Sequence, residues 1–493
     1  MDDTAKHGKA FEVAKIPQKA GAVETGKTSV TDYNPVNLDE EATGHEKDTW
    51  LDLLKHGWLS NAGSNLDAGL TSAAAQVGQV MLTLPHAVSL TGIRAGVPLI
   101  VSYTLVSMWT VHLLNALYLE YKRSKISTGE WYAGDGKARR KASQYFEVVG
   151  HTCGRWLGAV ALVLTVFNLV GNGTAQIVAG AANTYSINPV LSKRGWTLVW
   201  GALSLLMTLV PSFRDFRLLN VIALAGTGFT AIYICVSAGV HGFQANAVNL
   251  APYNFQSFFT GANVFLWAYG GHGVSFEIID AMWKPSAYDW VYPLSYLFTF
   301  SIATPHSILV QLAYPKGNLT QDNVYGVLPK NGWMVASIII MLIHQIIAYA
   351  LYVTPIFFMW EKLVGTHYKP AYIRLPSRLP VALLLWFIAI AFPFYGLINS
   401  IIGALTGSMV SFILPALAYN LYYLRSAAAR ANAPKQPPRW TGGWTPVLVF
   451  NAFIIIYFTT IGFGIGGYAS IKTFVDKIRT LGVFVDCYQC KKG

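Results

Sequence analysis

Charge is what this chain has least of: Asp, Glu, Lys and Arg make up 12% of its 493 residues, about half the share usual in soluble domains. That shortage excludes an ordinary water-facing globular surface. Acids are the scarcer sign, 24 against 36 Lys and Arg. Cysteines number only four, which excludes a disulfide scaffold. Cys487-Tyr488-Gln489-Cys490 is a lone C-x-x-C, equally a disulfide or two packed thiols. No metal-ligand cluster, phosphate-cradling loop or nucleophile–base pair of recognisable spacing occurs, so nothing supports an enzyme or a cofactor. Residues 1–50 carry no apolar run of the kind that forms a secretory signal.

Apolar residues fill the space that charge leaves, at 53% of the chain. Runs near the roughly 20 residues that cross a bilayer fall at 64–93, 96–121, 156–183, 196–211, 218–240, 258–283, 291–314, 332–361, 380–397, 399–424 and 445–470. The chain reads as an all-α polytopic membrane protein with eleven spans. Three regions follow: a polar N-terminal tail at 1–57, a transmembrane domain at 58–470 and a C-terminal tail at 471–493. A cytoplasmic N-terminus places 19 Lys and Arg in the inner loops and five in the outer ones, Arg94, Lys193, Arg194, Lys316 and Lys330. The formal charge of +12 is therefore an orientation signal, and nucleic acid is not implied. The C-terminus then lies outside, as does the glycosylation sequon Asn318-Leu319-Thr320. In the loop at 122–155, Arg139-Arg140-Lys141 precedes Tyr145, Phe146 and Val149 at the spacing of a short amphipathic helix.

Two spans are interrupted. The sixth carries Gly270-Gly271-His272-Gly273 and then Glu277; the first carries Gln76-Val77-Gly78-Gln79, with Pro85-His86 following. Each helical glycine costs about 1 kcal/mol relative to alanine, so clustered glycines at membrane depth argue for unwound backbone lining a cavity. Breaks at the first position of each half point to two inverted five-helix repeats plus a peripheral eleventh helix, the LeuT-type architecture. Half-helix N-termini at such breaks offer N–H groups to an anion. The expected binding residues are Gln76, Gly78, Gln79, Trp267, Tyr269, Gly271, His272 and Gly273, joined by Gln345 and by Asn172 and Gln176, which with Asn168 form a polar stripe on the third span.

Ionisable residues within spans are costly and mark function. His86, His272 and His344, with Glu277 four residues beyond the glycine break and able to face His272 if the helix resumes at once, are the expected proton-coupling groups. His112 and His306 read as packing residues. Asp280 and Lys284 suggest a cytoplasmic gate pair. The fifth span offers neither Lys nor acid, so no buried ammonium there replaces sodium.

Several motifs together resemble the plant auxin influx carriers (the AUX/LAX family) of the amino acid/auxin permease group. They are Ala281-Met282-Trp283-Lys284-Pro285, Met341-Leu342-Ile343-His344-Gln345, Trp360-Glu361-Lys362, Leu82-Thr83-Leu84-Pro85, Val210-Pro211-Ser212-Phe213, Phe392-Pro393-Phe394 and the terminal Cys487-Tyr488-Gln489-Cys490-Lys491. The resemblance runs from about residue 58 to the C-terminus and departs at His86-Ala87-Val88 and at Arg94. It implies a LeuT-like fold, a plasma-membrane location, and proton-driven uptake of indole-3-acetate or a similar aromatic carboxylate. A proton-coupled amino-acid permease, or a receptor of the same fold that binds without turnover, are the competing expectations.

Overall fold

The computed structural model of the chain describes residues 64–128, 130–131, 143–209, 217–244, 248 and 250–490. The tail at 1–57, the basic run Arg139-Arg140-Lys141 and the motif Val210-Pro211-Ser212-Phe213 lie outside them.

Among the described residues all regular structure is helical. Seven helices among the described residues are each long and apolar enough to cross a membrane. These are Ile93–Ser127, Arg155–Ile187, Leu218–His241, Gly332–Leu363, Ala371–Ala391, Tyr395–Arg425 and Trp444–Leu481, the second, third, fifth and eighth to eleventh spans. The fourth is short, Lys193–Leu205 with a 3₁₀ extension at Leu206–Leu209. The seventh, Tyr288–Ala313, contains Pro293 and Pro305.

The first and sixth spans are broken where the glycines fall. The first consists of Asn65–Gln76 and Gln79–Thr91. Its start is fixed by a Ser64–Asp67 capping box, in which each side chain satisfies a backbone N–H that the helix leaves free. The sixth consists of Phe255–Ala268, a 3₁₀ turn at Gly271–Val274, and Ser275–Ala281. The break in the first span needs glycine: Gly78 sits at φ 123°, a conformation that side chains resist. A Cβ there would also lie 2.0 Å from Nε2 of His344.

Opposite halves of the broken spans pack together, Gln79–Thr91 on Phe255–Ala268 and Asn65–Gln76 on Ser275–Ala281. The third and eighth spans, equivalent positions five apart, also pack on each other. The eleventh span is the least buried of the long helices.

Some boundaries differ from expectation. The ninth helix stops at Ala391 and the tenth begins at Tyr395, so 395–397 belong to the tenth. Pro393 cannot donate to a helical ladder, and the chain bends there. The eleventh helix continues past 470 to Leu481. Wide i→i+5 turns occupy Ile402–Ile413 and Phe458–Gly466, and they pack against each other with Phe412 stacked on Phe458. The short helix Tyr145–Cys153 buries Tyr145, Val148 and Val149, while Phe146 is only partly buried.

Cys487 and Cys490 are joined in a disulfide. Around it the C-terminal tail is tied to three elements. Lys193 donates to the carbonyls of Tyr488 and Gln489, Gln489 donates to Thr320 O at 3.1 Å, and Phe484 N donates to Ala391 O at 3.0 Å.

Candidate binding site between the broken helices

The two breaks enclose a cavity. Gln76, Val77 and Gln79 line it from the first span, Asn168, Asn172 and Gln176 from the third, Trp267, Gly270, Gly271 and Gly273 from the sixth, and Tyr352 from the eighth. Its volume is about 20 Å³, room for about one water. Ligand pockets usually offer at least about 300 Å³. This is a closed conformation, and any organic substrate requires the helices to part.

Unwinding frees backbone carbonyls, and side chains from other spans take them. Tyr296 OH donates to Tyr269 O at 2.6 Å, joined by Ser107, and Ser411 Oγ donates to Gly270 O at 2.8 Å. Tyr352 OH donates to Ala75 O, and Tyr395 OH donates to Gln79 O at 2.6 Å. The breaks are thus built in, since hydroxyls from the second, seventh, eighth and tenth spans are aimed at backbone carbonyls on either side of them.

The cavity's own amides are only partly engaged. Trp267 Nε1 donates to Asn172 Oδ1 at 2.6 Å, Asn172 Nδ2 to Asn168 O at 2.8 Å, and Thr299 Oγ1 to Gln76 Oε1 at 2.9 Å. Left without partners among the described residues are Gln76 Nε2, both amide atoms of Gln79 and Gln176 Oε1, all buried. Buried polar atoms are nearly always hydrogen-bonded. Several such atoms converging on one cavity mark a place built to receive a polar molecule. Its lining includes no carboxylate and no ammonium.

The expected residues therefore divide. Gln76, Gln79, Asn172, Gln176, Trp267, Gly271 and Gly273 come together. Gly78 shapes the break without lining the cavity. Tyr269, at the end of the helix Phe255–Ala268, and His272, in the 3₁₀ turn, point elsewhere, toward the second and seventh spans. His272 Nε2 meets Thr110 Oγ1 at 2.8 Å and its ring lies beside Tyr292 and Phe412; Tyr269 OH reaches Thr304. Phe276 packs on Tyr118 and Tyr145, away from the cavity.

His344 stands behind the first break, with Nε2 3.2 Å from Val77 O. Gln345 faces a separate small cavity beside Trp200 and Tyr349. His86, half-buried, does not line the central cavity. Glu277 is buried and under the field of Lys362, and among the described residues nothing joins it to His272. Asp280 accepts from Tyr118 OH at 2.8 Å.

Sequence reasoning missed Tyr352 and Tyr395. A tyrosine in an apolar run carries no signal of its own, and only the freed carbonyls opposite explain these two. It also missed a second cavity of about 370 Å³ at the end bearing the C-terminal tail, bounded by Tyr185, Lys193, Tyr325, Lys330, Tyr395 and Tyr488. Tyr395 belongs to its wall while its hydroxyl holds the carbonyl of Gln79, whose side chain lines the central cavity.

Comparison with known proteins agrees with this geometry. Residues 61–461 match the family described as transmembrane amino acid transporter protein. The chain belongs to that family. It is 38% identical over 471 residues to auxin transporter protein 1 of Arabidopsis thaliana, covering 95% of each chain. It is 37% identical over 478 residues to auxin transporter-like protein 2 of Medicago truncatula, covering 97% of this chain and 96% of that one. Among solved structures, MhsT in complex with L-phenylalanine aligns with a TM-score of 0.57 at 10% identity, over 82% of this chain and all of that one. A manganese transporter of Eremococcus coleocola aligns with a TM-score of 0.53 at 13% identity, over 88% and 89% of the two chains. These likenesses show the LeuT-like fold. The protein is a multi-pass membrane transporter of the auxin transporter group.

Proposed function

We propose that the transporter imports indole-3-acetate, or a similar small aromatic carboxylate, across the plasma membrane together with protons. The supporting observation is the cavity between the breaks: neutral amides, an indole wall and half-helix N–H groups, with no acid to meet an ammonium. The names of its relatives point to the same substrate. An amino-acid substrate would bring an ammonium whose burial without a carboxylate partner is costly. A carboxylate instead finds donors in Gln76, Gln79 and the N-terminus of Gln79–Thr91.

Protons are the coupling ion on energetic grounds. Carrying an anion into an inside-negative cell costs about 2.3 kcal/mol per 100 mV, which one accompanying proton cancels. In the same reading the N-terminus is cytoplasmic, the tail-bearing end with its larger cavity faces outside, and Asn318 is glycosylated there.

Radiolabelled uptake with competing indole-3-acetate, tryptophan and benzoate tests the substrate. Accumulation blocked by indole-3-acetate and benzoate but not by tryptophan is expected, whereas tryptophan as the strongest competitor overturns the choice. Binding without accumulation identifies a receptor. Uptake should collapse with a protonophore and persist without sodium.

A further inference from the structure

We propose that His306 on the seventh span is a proton-binding site of the transport cycle, occupied when the carbonyls of Met81 and Ile302 both face its ring. The inference rests on the proton-coupled reading above and names a residue that composition and spacing assigned to packing.

It begins with a missing donor. Met81 lies in the half-helix Gln79–Thr91, where its carbonyl would ordinarily accept from the residue four positions on. That residue is Pro85, which has no N–H. The orphaned carbonyl is met from the neighbouring span, with His306 Nε2 2.8 Å away. The other ring nitrogen, Nδ1, lies 2.8 Å from Ile302 O, one turn back in its own helix.

Carbonyl oxygens only accept. A neutral imidazole has one N–H and one bare lone pair, so it satisfies one of these contacts and sets a lone pair against the other oxygen. Only the imidazolium donates both hydrogen bonds. His306 is fully buried, which opposes the charge. The proton is therefore held only while both carbonyls stay in place. Met81 belongs to one half of a broken helix and Ile302 to a neighbouring span, so relative movement of the two opens one contact and returns the proton.

Among the described residues, no acid on the packed elements takes over as counter-ion. Asp67 caps the far end of the first span, Glu120 pairs with Arg123 at the far end of the second, and Asp289, at the start of the seventh, is held by His112 and Lys435. The fifth span contributes Cys235 and His241, the first His86, and the short helix Pro315–Thr320 contributes Lys316; none is an acid. Asp322, in the loop beyond, accepts from Gly396 N.

The other buried imidazoles differ. His272 meets a hydroxyl at Nε2 and has no hydrogen-bond partner at Nδ1 among the described residues, and the carbonyl contacts of His344 are 3.2 and 3.3 Å with a threonine hydroxyl beside Nδ1. The carbonyls at His344 lie farther from its ring than the 2.8 Å pair at His306, so the demand for a second ring proton is strongest at His306.

The test is uptake of indole-3-acetate into proteoliposomes at fixed inside-negative potential, with external pH lowered from about 7.5 to about 5, the range in which histidine changes charge. Wild-type uptake should rise along that series. His306→Gln retains an N–H donor for Met81 but cannot titrate; its uptake should be nearly flat with pH, while indole-3-acetate binding to the purified variant stays within about threefold. Pro85→Ala returns a backbone donor to Met81 and leaves the imidazole intact. Its pH response should move to lower pH by about half a unit or more.

A His306→Gln protein with the wild-type pH profile overturns the assignment. If that variant does not reach the membrane, an unshifted pH response in Pro85→Ala overturns it instead. Wild-type uptake indifferent to a protonophore removes the coupling reading itself. Protonophore-sensitive uptake with unchanged variant profiles removes only His306.

Discussion

Gln79 is buried with both amide atoms lacking a partner among the described residues, while its backbone carbonyl is held by Tyr395. Gln76 has one amide atom engaged by Thr299 and one left over. A hydrogen bond to a charged group contributes about 1.5–3 kcal/mol, so losing one weakens affinity roughly 10- to 150-fold. Gln79→Ala should therefore lower indole-3-acetate affinity at least about tenfold, and Gln76→Ala by less, measured on purified folded protein. Unchanged affinity in both would remove these amides from the site. At this scale the sequence was informative because polar residues inside apolar runs are exceptions that need a reason. It did not give direction. His272 stood out correctly as a membrane imidazole, yet the 3₁₀ turn at Gly271–Val274 aims it at Thr110. His306 looked ordinary because its significance depends on Pro85, far away in sequence.

Elements were more legible than side chains. Clustered glycines in the first and sixth spans announced unwinding, since glycine weakens a helix wherever it stands. They located both breaks to within a residue or two. Less legible were boundaries set by tertiary contact: the bend at Phe392–Phe394, the wide turns of the tenth and eleventh spans, and the run of the last helix to Leu481. The first break also makes a sharp prediction. Gly78 combines a positive φ with a Cβ position already filled by the His344 ring. Gly78→Ala adds one methyl but must displace either the half-helix or the imidazole. Saturable uptake should be lost, whereas Gly273→Ala, whose Cβ meets the Asn168 side chain at 3.0 Å, should retain a measurable part. Equal uptake in the two variants would contradict the view that the first break is set by its backbone conformation.

Across the whole molecule, the closed central cavity is held from both ends by different contacts. Toward the tail-bearing end, Tyr395 OH holds Gln79 O below the larger cavity, and Asp322 accepts from Gly396 N beside it at 2.8 Å. Toward the other end, Lys362 donates to Gln144 at 2.7 Å and Glu147 at 3.1 Å, fastening the eighth span to the short helix Tyr145–Cys153. Alternating access requires these fastenings to release in turn. Weakening one should bias the protein toward opening at that end. Tyr395→Phe deletes one neutral hydrogen bond, worth about 1 kcal/mol or roughly a fivefold change in an equilibrium. Lys362→Gln removes a partly buried ion pair of similar or smaller worth. A reporter cysteine at Ser186, on the wall of the larger cavity, reads the tail-bearing end through its reaction with a membrane-impermeant thiol reagent once Cys153 and Cys235 are replaced by serine. Labelling should quicken in Tyr395→Phe and slow in Lys362→Gln, the two moving in opposite directions. Movement in the same direction, or none in either, would mean that these contacts stabilise the fold without governing which end opens.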